Sequence, residues 1–178
     1  QSAGFTHWAK LNNLKQAAKT MNFLTEHGIS NYGELESKLT ALSTRRDTAH
    51  AEIKRIESRS AELALVMKHA GTYRQLKPLY DRYRKSNDKE KFLRGHESEI
   101  ILFEAAAREL KRLGAVPLPT TESMKTELAN LSAEKERLLA EYKTARTEAQ
   151  EYETVKQNVD ALLAVPKEQE QQRRHELE

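Results

Sequence analysis

Two sets of residues in this chain could carry chemistry. Histidines and carboxylates could hold a metal or move protons. A run of cations interleaved with tyrosines could hold a polyanion. The six histidines stand at 7, 27, 50, 69, 96 and 175. None of them fall at the HxH, HxxxH or HExxH spacings that place two imidazoles on one metal. His96-Glu97 lacks a second histidine, and His96 shares an apolar helical face with Phe92 and Ile100. That position suits a partly buried, hydrogen-bonded histidine better than a ligand. With no cysteine there is neither a thiolate nor a disulfide framework. The glycines form no GxGxxG and no phosphate-binding loop, and no GxSxG nucleophile elbow occurs. The many carboxylates suit solvated helix faces in i,i+4 pairs. No catalytic residue, metal or cofactor is therefore expected.

The cations are more informative. Thirty Lys and Arg against 27 Asp and Glu leave only +3 overall. Between residues 68 and 94, however, nine basic residues face three acidic ones, an excess of +6. Tyr73, Tyr80 and Tyr83 lie among them, and Tyr73, Lys77, Tyr80 and Arg84 share one helix face by their spacing. Lysine and arginine neutralise phosphates and release counterions, and tyrosine can stack on an unpaired base. The candidate nucleic-acid contacts are Tyr73, Arg74, Lys77, Tyr80, Arg84, Lys85, Lys89 and Lys91. The alternative for the tyrosines is a core role, packed against Phe92 and Phe103, with the cations merely solvated.

The elements that must position these residues are helices. Ala, Glu, Lys, Leu and Arg make up 96 of the 178 residues, and Val plus Ile only ten. Such a composition favours long helices and leaves little for a sheet. Mean hydropathy is −0.81, so order must come from patterned seams rather than a thick core. A first helix runs from about Phe5 to Glu26, with Phe5, Trp8, Leu11, Leu14, Ala18, Met21 and Leu24 on its apolar face and Gly28 as its stop. Asn31 and Glu34 form a cap pair for the next helix. Its seam steps by four and three through Leu35, Leu39, Leu42, Arg46, Ala49, Ile53, Ile56, Ser60, Leu63, Met67 and Ala70. The stripe then shifts to Tyr73, Leu76, Tyr80 and Tyr83, with a kink expected at Pro78. Asn87 and Glu90 make a second cap pair. The third helix carries Phe92, His96, Ile100, Phe103, Ala107 and Leu110 on one face, is weakened by Gly95, and ends at Leu113-Gly114. A last seam runs through Met124, Leu128, Leu131, Lys135, Leu138, Tyr142, Ala145, Ala149, Tyr152, Lys156, Val159 and Leu163 and stops at Pro166. Lys135 and Lys156 suit pairing or register devices whose aliphatic stems stay packed.

The two seams span about 54 and 60 Å at the helical rise. Matched lengths predict an all-α fold, an elongated antiparallel coiled-coil hairpin with a helical tip and an N-terminal helix. Parallel self-dimerisation through either seam is the competing arrangement. The expected divisions are an N-terminal helix over 1–30, arm 1 over 31–70, a basic tip over 71–119, arm 2 over 120–164 and a disordered tail over 165–178. The final Leu177-Glu178 suits a vector remnant. No apolar run is long enough to span a membrane, and Lys10 and Lys15 interrupt any signal-peptide pattern. A cytoplasmic location is expected.

Several stretches resemble a known family. Thr72-Tyr73-Arg74-Gln75-Leu76-Lys77-Pro78-Leu79-Tyr80, Tyr83, Lys85-Ser86, Lys89, Phe92, His96 to Ile100 and Phe103 to Ala107 are similar to the C-terminal region of relaxase/mobilisation-nuclease proteins of conjugative transposons. Trp8 to Lys15 with Asn22 to Ile29 resembles the start of that region. Ala140-Glu141-Tyr142, Glu151-Tyr152 and Val155 to Asp160 resemble its end. In that family a separate N-terminal domain nicks one strand at the transfer origin with a tyrosine nucleophile and a histidine-bound metal. This chain has no matching histidine pair, so no catalytic residue carries over. The resemblance implies a non-catalytic accessory segment that holds DNA, single-stranded or duplex near a transfer origin, or docks a coupling protein or other transfer proteins. A protein-interaction or dimerisation module, with Trp8 and Leu11 as contacts, is the alternative.

Overall fold

A computed structural model describes the backbone of residues 3–175 and the side chains of residues 12–164. The chain forms four helices, α1 (Ala3–Glu26), α2 (Tyr32–Lys85), α3 (Lys89–Arg112) and α4 (Thr121–His175), with no strand among the described residues. The fold is all-α, and α2 pairs with α4 in the antiparallel sense of a helical hairpin. The chain divides into two compact units, residues 1–50 with 139–178 and residues 51–138.

The helix ends follow local chemistry. Gly28 adopts φ +64°, and Ile29 N–H donates to Leu24 O (2.8 Å) while Gly28 N–H donates to Thr25 O (3.1 Å). This is a Schellman closure, in which a left-handed glycine lets two amides satisfy the last carbonyls. Gly114, at φ +69°, closes α3 identically, with Ala115 N–H on Leu110 O and Gly114 N–H on Lys111 O. At the start of α2, Glu34 N–H donates to Asn31 Oδ1 (3.0 Å) and the Glu34 carboxylate accepts from Ser30 N–H (2.7 Å), one residue before the cap itself. The cap of α3 is Asp88 rather than Asn87: its Oδ1 accepts from Lys91 N–H at 3.0 Å. A carboxylate is the better acceptor beside a helix N-terminus. Thr120 caps α4 through Ser123 N–H. The intervening 113–120 link, with a cis Val116–Pro117 bond, is not helical, as its prolines require.

Neither proline interrupts its helix, where a kink is expected at Pro78 and a stop at Pro166. Helix α2 runs unbroken through Pro78, and α4 continues through Pro166 to His175. A proline removes one amide and frees the carbonyl four residues back. Those carbonyls belong to Arg74 and Leu162, both exposed residues, so solvent can take the freed bond. Over 165–175, where a disordered tail is expected, the backbone instead continues as helix α4; Leu177 and Glu178 lie outside the described residues.

In the first unit, Ile29, Leu35, Tyr152 and Val155 form the core, with Phe23, Leu24, Leu39, Leu42 and Val159 packed around it. Arg45 pairs with Glu141 at 3.0 Å, and Tyr32 O–H donates to Asp160 Oδ1 at 2.6 Å, so α2 and α4 run antiparallel. Lys156 completes that group by pairing with Asp160 (3.1 Å) over the Tyr32 ring (5.2 Å). The Tyr32 hydroxyl, and then Lys156, hold the Asp160 carboxyl below its ordinary range.

Among its described side chains, helix α1 half-buries only Leu24 of its expected face. Leu14 is 74% exposed, Met21 58%, and Ala18 is exposed as well. Thr20, at 2%, faces inward instead, with its hydroxyl accepting from Asn158 Nδ2 (3.3 Å), while Gln16 Nε2 donates to Asn158 Oδ1 (3.0 Å). Phe23 lies on the same side and meets the edge of Tyr152 at 5.0 Å. Asn158 can be satisfied only by polar groups, and it rotates α1 to present them.

In the second unit, Leu63, Val66 and Ala70 of α2, Leu110 of α3, Ala115 of the link and Met124 of α4 form one core. Ion pairs fix the register: Arg59 with Glu127 (2.7 Å) and Lys135 with Glu57 (3.0 Å). Lys135 therefore acts as the pairing device its seam position predicts. Along α2 every seam residue from Leu35 to Ala70 is buried or half-buried; along α4 the same holds from Met124 to Val159, and only Leu163, 59% exposed, lies off the seam.

Candidate nucleic-acid interface

The basic residues belong to the second unit, at the α2–α3 turn. Arg74 bonds to Thr121 Oγ1 (2.7 Å) and the Pro119 carbonyl, tying α2 to the start of α4. Beyond it, Tyr80 and Tyr83 contact α3. The chain turns through Ser86, whose Oγ donates to Asp88 O (3.0 Å).

The tyrosine rings pack inward. Tyr73 stacks on Phe103 with centroids 4.8 Å apart, and Tyr80 stacks on the same ring at 4.1 Å. Tyr83 lies 6.0 Å from Phe92 and 5.9 Å from Tyr80. Tyr80 O–H donates to Glu104 Oε1 at 3.4 Å. Burial, and then the negative charge of Glu104, push the Tyr80 phenol above its ordinary range. Phe103 is buried in α3 with Ile100, Ala106 and Leu110; of the expected face, Phe92, His96 and Ala107 are half-buried, and Ala106 takes the inward place assigned to Ala107. The stripe Tyr73, Leu76, Tyr80 and Tyr83 is half-buried throughout.

The cations divide into two groups. Arg74 is engaged as described, Lys77 pairs with Asp81 (3.0 Å), and the Arg82 guanidinium sits over the Phe92 ring at 5.9 Å. Arg84, Lys85, Lys89 and Lys91 are exposed, as is Arg94, and no ion pair among the described residues engages them. Asp81 and Asp88 are committed to Lys77 and to the α3 cap, which leaves Glu90 and Glu97 as the acidic residues nearest in sequence.

Their helix positions separate the free cations further. Arg84 and Lys85, with Arg82, occupy the last turn of α2, where cations complement the negative end of the macrodipole. Lys89 and Lys91 occupy the first turn of α3, beside the positive end, and there only Glu90 is favourable. Helix stability accounts for the first set and opposes the second. Arg94, one turn further along α3, was not singled out from the sequence; the +6 window contained it but gave no reason to separate it from its neighbours.

Two other histidine features mark this end. His96 carries non-helical backbone angles (φ −143°, ψ 25°), which kink α3 next to Gly95. Its Nδ1 is shielded from solvent, 3.7 Å from Glu99 Oε1 and without a hydrogen bond, so the expected satisfied histidine is half-buried but unsatisfied at that atom. A shallow depression of about 280 Å³ lies beside it, lined by Ser86, Asp88, Lys91, Phe92, Gly95 and His96.

Comparison with known proteins brings no relative. No family model, no curated protein and no solved structure matches the chain. The case for a nucleic-acid contact therefore rests on the geometry of the basic turn. The expected interaction residues Trp8 and Leu11 lie outside the described side chains. Among the described residues, no helix is long and apolar enough to cross a membrane.

Proposed function

We propose that this chain is a non-catalytic helical accessory segment of a DNA-mobilisation relaxase, and that it holds nucleic acid through the basic α2–α3 turn. The observation that carries the nucleic-acid contact is the placement of Lys89 and Lys91. Both are exposed, unpaired and set at the helix end where a cation is least favourable. Cations set against local helix stability and without partners suit an external anion, and the cations of the preceding helix end extend the same field. The attribution to a relaxase rests on the sequence resemblance alone.

The test reverses the two lysines. Lys89→Glu with Lys91→Glu places acids at the α3 N-terminus, so the melting midpoint should hold or rise. Binding to a fluorescent DNA fragment at low salt should meanwhile fall at least tenfold. Unchanged binding, with the fold intact by circular dichroism, would refute the nucleic-acid contact.

A second reading is a docking or dimerisation module. It is favoured by the exposed Leu14, Ala18 and Met21 of α1, an apolar stripe at helical spacing. Sedimentation across micromolar concentrations checks it: a strict monomer removes self-association.

A further inference from the structure

We infer that the basic α2–α3 turn engages the phosphate backbone and does not stack on bases, so that it favours duplex over single-stranded nucleic acid of equal length and is indifferent to base identity. This inference rests on the nucleic-acid contact proposed above and specifies the form of ligand.

Proteins that hold unpaired strands combine a cationic track with aromatic faces on which bases stack. Here the cationic part is present and the aromatic part is internally consumed. Tyr73 and Tyr80 both lay their faces on Phe103, with interplanar angles of 24° and 23°. Each ring has one face committed to Phe103 and is half-buried, so neither offers the open platform on which single-strand binders stack successive bases. Tyr83 is half-buried between Tyr80 and Phe92. Phe92 borders the shallow depression at the turn, yet Arg82 covers its ring, and Tyr83 and His96 flank it at centroid distances of 6.0 and 4.9 Å.

What remains available is charge. Arg84 and Lys85 at the end of α2, and Lys89, Lys91 and Arg94 at the start of α3, come from two helix ends joined by the short turn at 86–88. Cations of this kind answer phosphate density, which is twice as high along a duplex axis as along one strand. If all five engage, the logarithm of the binding constant should fall with the logarithm of salt at a slope of about −4 to −5 on duplex.

The experiment uses the whole chain and three probes of equal length: a mixed-sequence duplex, a poly-dT strand and an abasic deoxyribose-phosphate strand. Affinities are measured by anisotropy from 25 to 200 mM salt, chosen as about the range over which counterion release is resolved. The expected result is tightest binding to duplex, and affinities for poly-dT and the abasic strand within about twofold of each other. A poly-dT affinity tenfold or more above the abasic strand overturns the inference while leaving the nucleic-acid contact standing. Loss of that preference in Phe92→Leu would then assign the stacking ring. Absence of binding to all three probes at the lowest salt removes both the contact and the inference drawn from it.

Discussion

The two units share a device and differ in how they use it. In each, a helix ends at a left-handed glycine, and the closure delivers an apolar residue into the core: Ile29 in the first unit and Ala115 in the second. In each, α2 and α4 supply the seam. The helix that the device terminates is held very differently. Helix α3 buries Ile100, Phe103, Ala106 and Leu110 and adds a two-ring stack on Phe103. Helix α1, among its described side chains, buries only Thr20 and half-buries Ala17, Phe23 and Leu24. One attachment is a continuous apolar face; the other is a polar clasp beside two half-buried apolar side chains, Phe23 and Leu24. Apolar burial scales with area, whereas a neutral hydrogen bond contributes about 1 kcal/mol net. The second unit should therefore hold its third helix through fluctuations that release α1 from the first.

The largest test of that contrast is truncation. Leu110→Ala should cost about 2–5 kcal/mol, because it opens a cavity among Leu63, Val66, Ala70 and Met124. Leu24→Ala, at a half-buried site, should cost clearly less. Denaturant titration of both variants measures the difference, and equal losses would break the comparison.

The glycine closures should behave alike. A Cβ at Gly28 or Gly114 meets nothing within 4 Å, so only the left-handed backbone opposes it. Gly28→Ala and Gly114→Ala should each lose about 1–2 kcal/mol. A loss in one unit alone would show that the shared device matters only there.

Asn158→Ala should cost about 1 kcal/mol, since it removes the partner of both Gln16 and Thr20. Its signature is local: amides of residues 16–26 should exchange faster, while those of 100–110 keep their protection. Uniform acceleration of both sets would refute a separate clasp.

The smallest effect is in acid. The Tyr32 hydroxyl and Lys156 depress Asp160 in the first unit, and Lys135 and Lys54 depress Glu57 in the second. A depressed folded pKa means that the unfolded chain binds the proton more readily. The stabilisation is complete above the ordinary carboxylate value of about 4 and declines as pH falls below it. Asp160→Asn should remove part of this acid sensitivity from the first unit only, and residue-resolved exchange at pH 3 and 6 would distinguish the two sites.

Much of this architecture was legible in residue order. The seam from Leu35 to Ala70 and its counterpart from Met124 to Val159 depend on a 4-3 spacing that any antiparallel partner must match. Gly28, Gly114 and Asn31 act through hydrogen bonds to residues a few positions away, so local spacing suffices. The face of α3 was legible for the same reason. At the basic turn, the window of charge was visible, but not which members of it were free.

By itself the sequence determined that the chain is helical, where most of its helices begin and end, which residues form the two long seams, and where its positive charge concentrates. These are properties of periodicity and neighbours. The tertiary structure alone decided the rotation of α1, set by Thr20 and Asn158 across 138 positions. It decided that Tyr73 and Tyr80 belong to Phe103, and that Arg74 ties α2 to Pro119 and Thr121 while Lys89 and Lys91 stay unpaired. Each of these depends on which distant partner satisfies a polar or aromatic group. A side chain with several chemically acceptable partners is assigned one only when the fold brings that partner within reach.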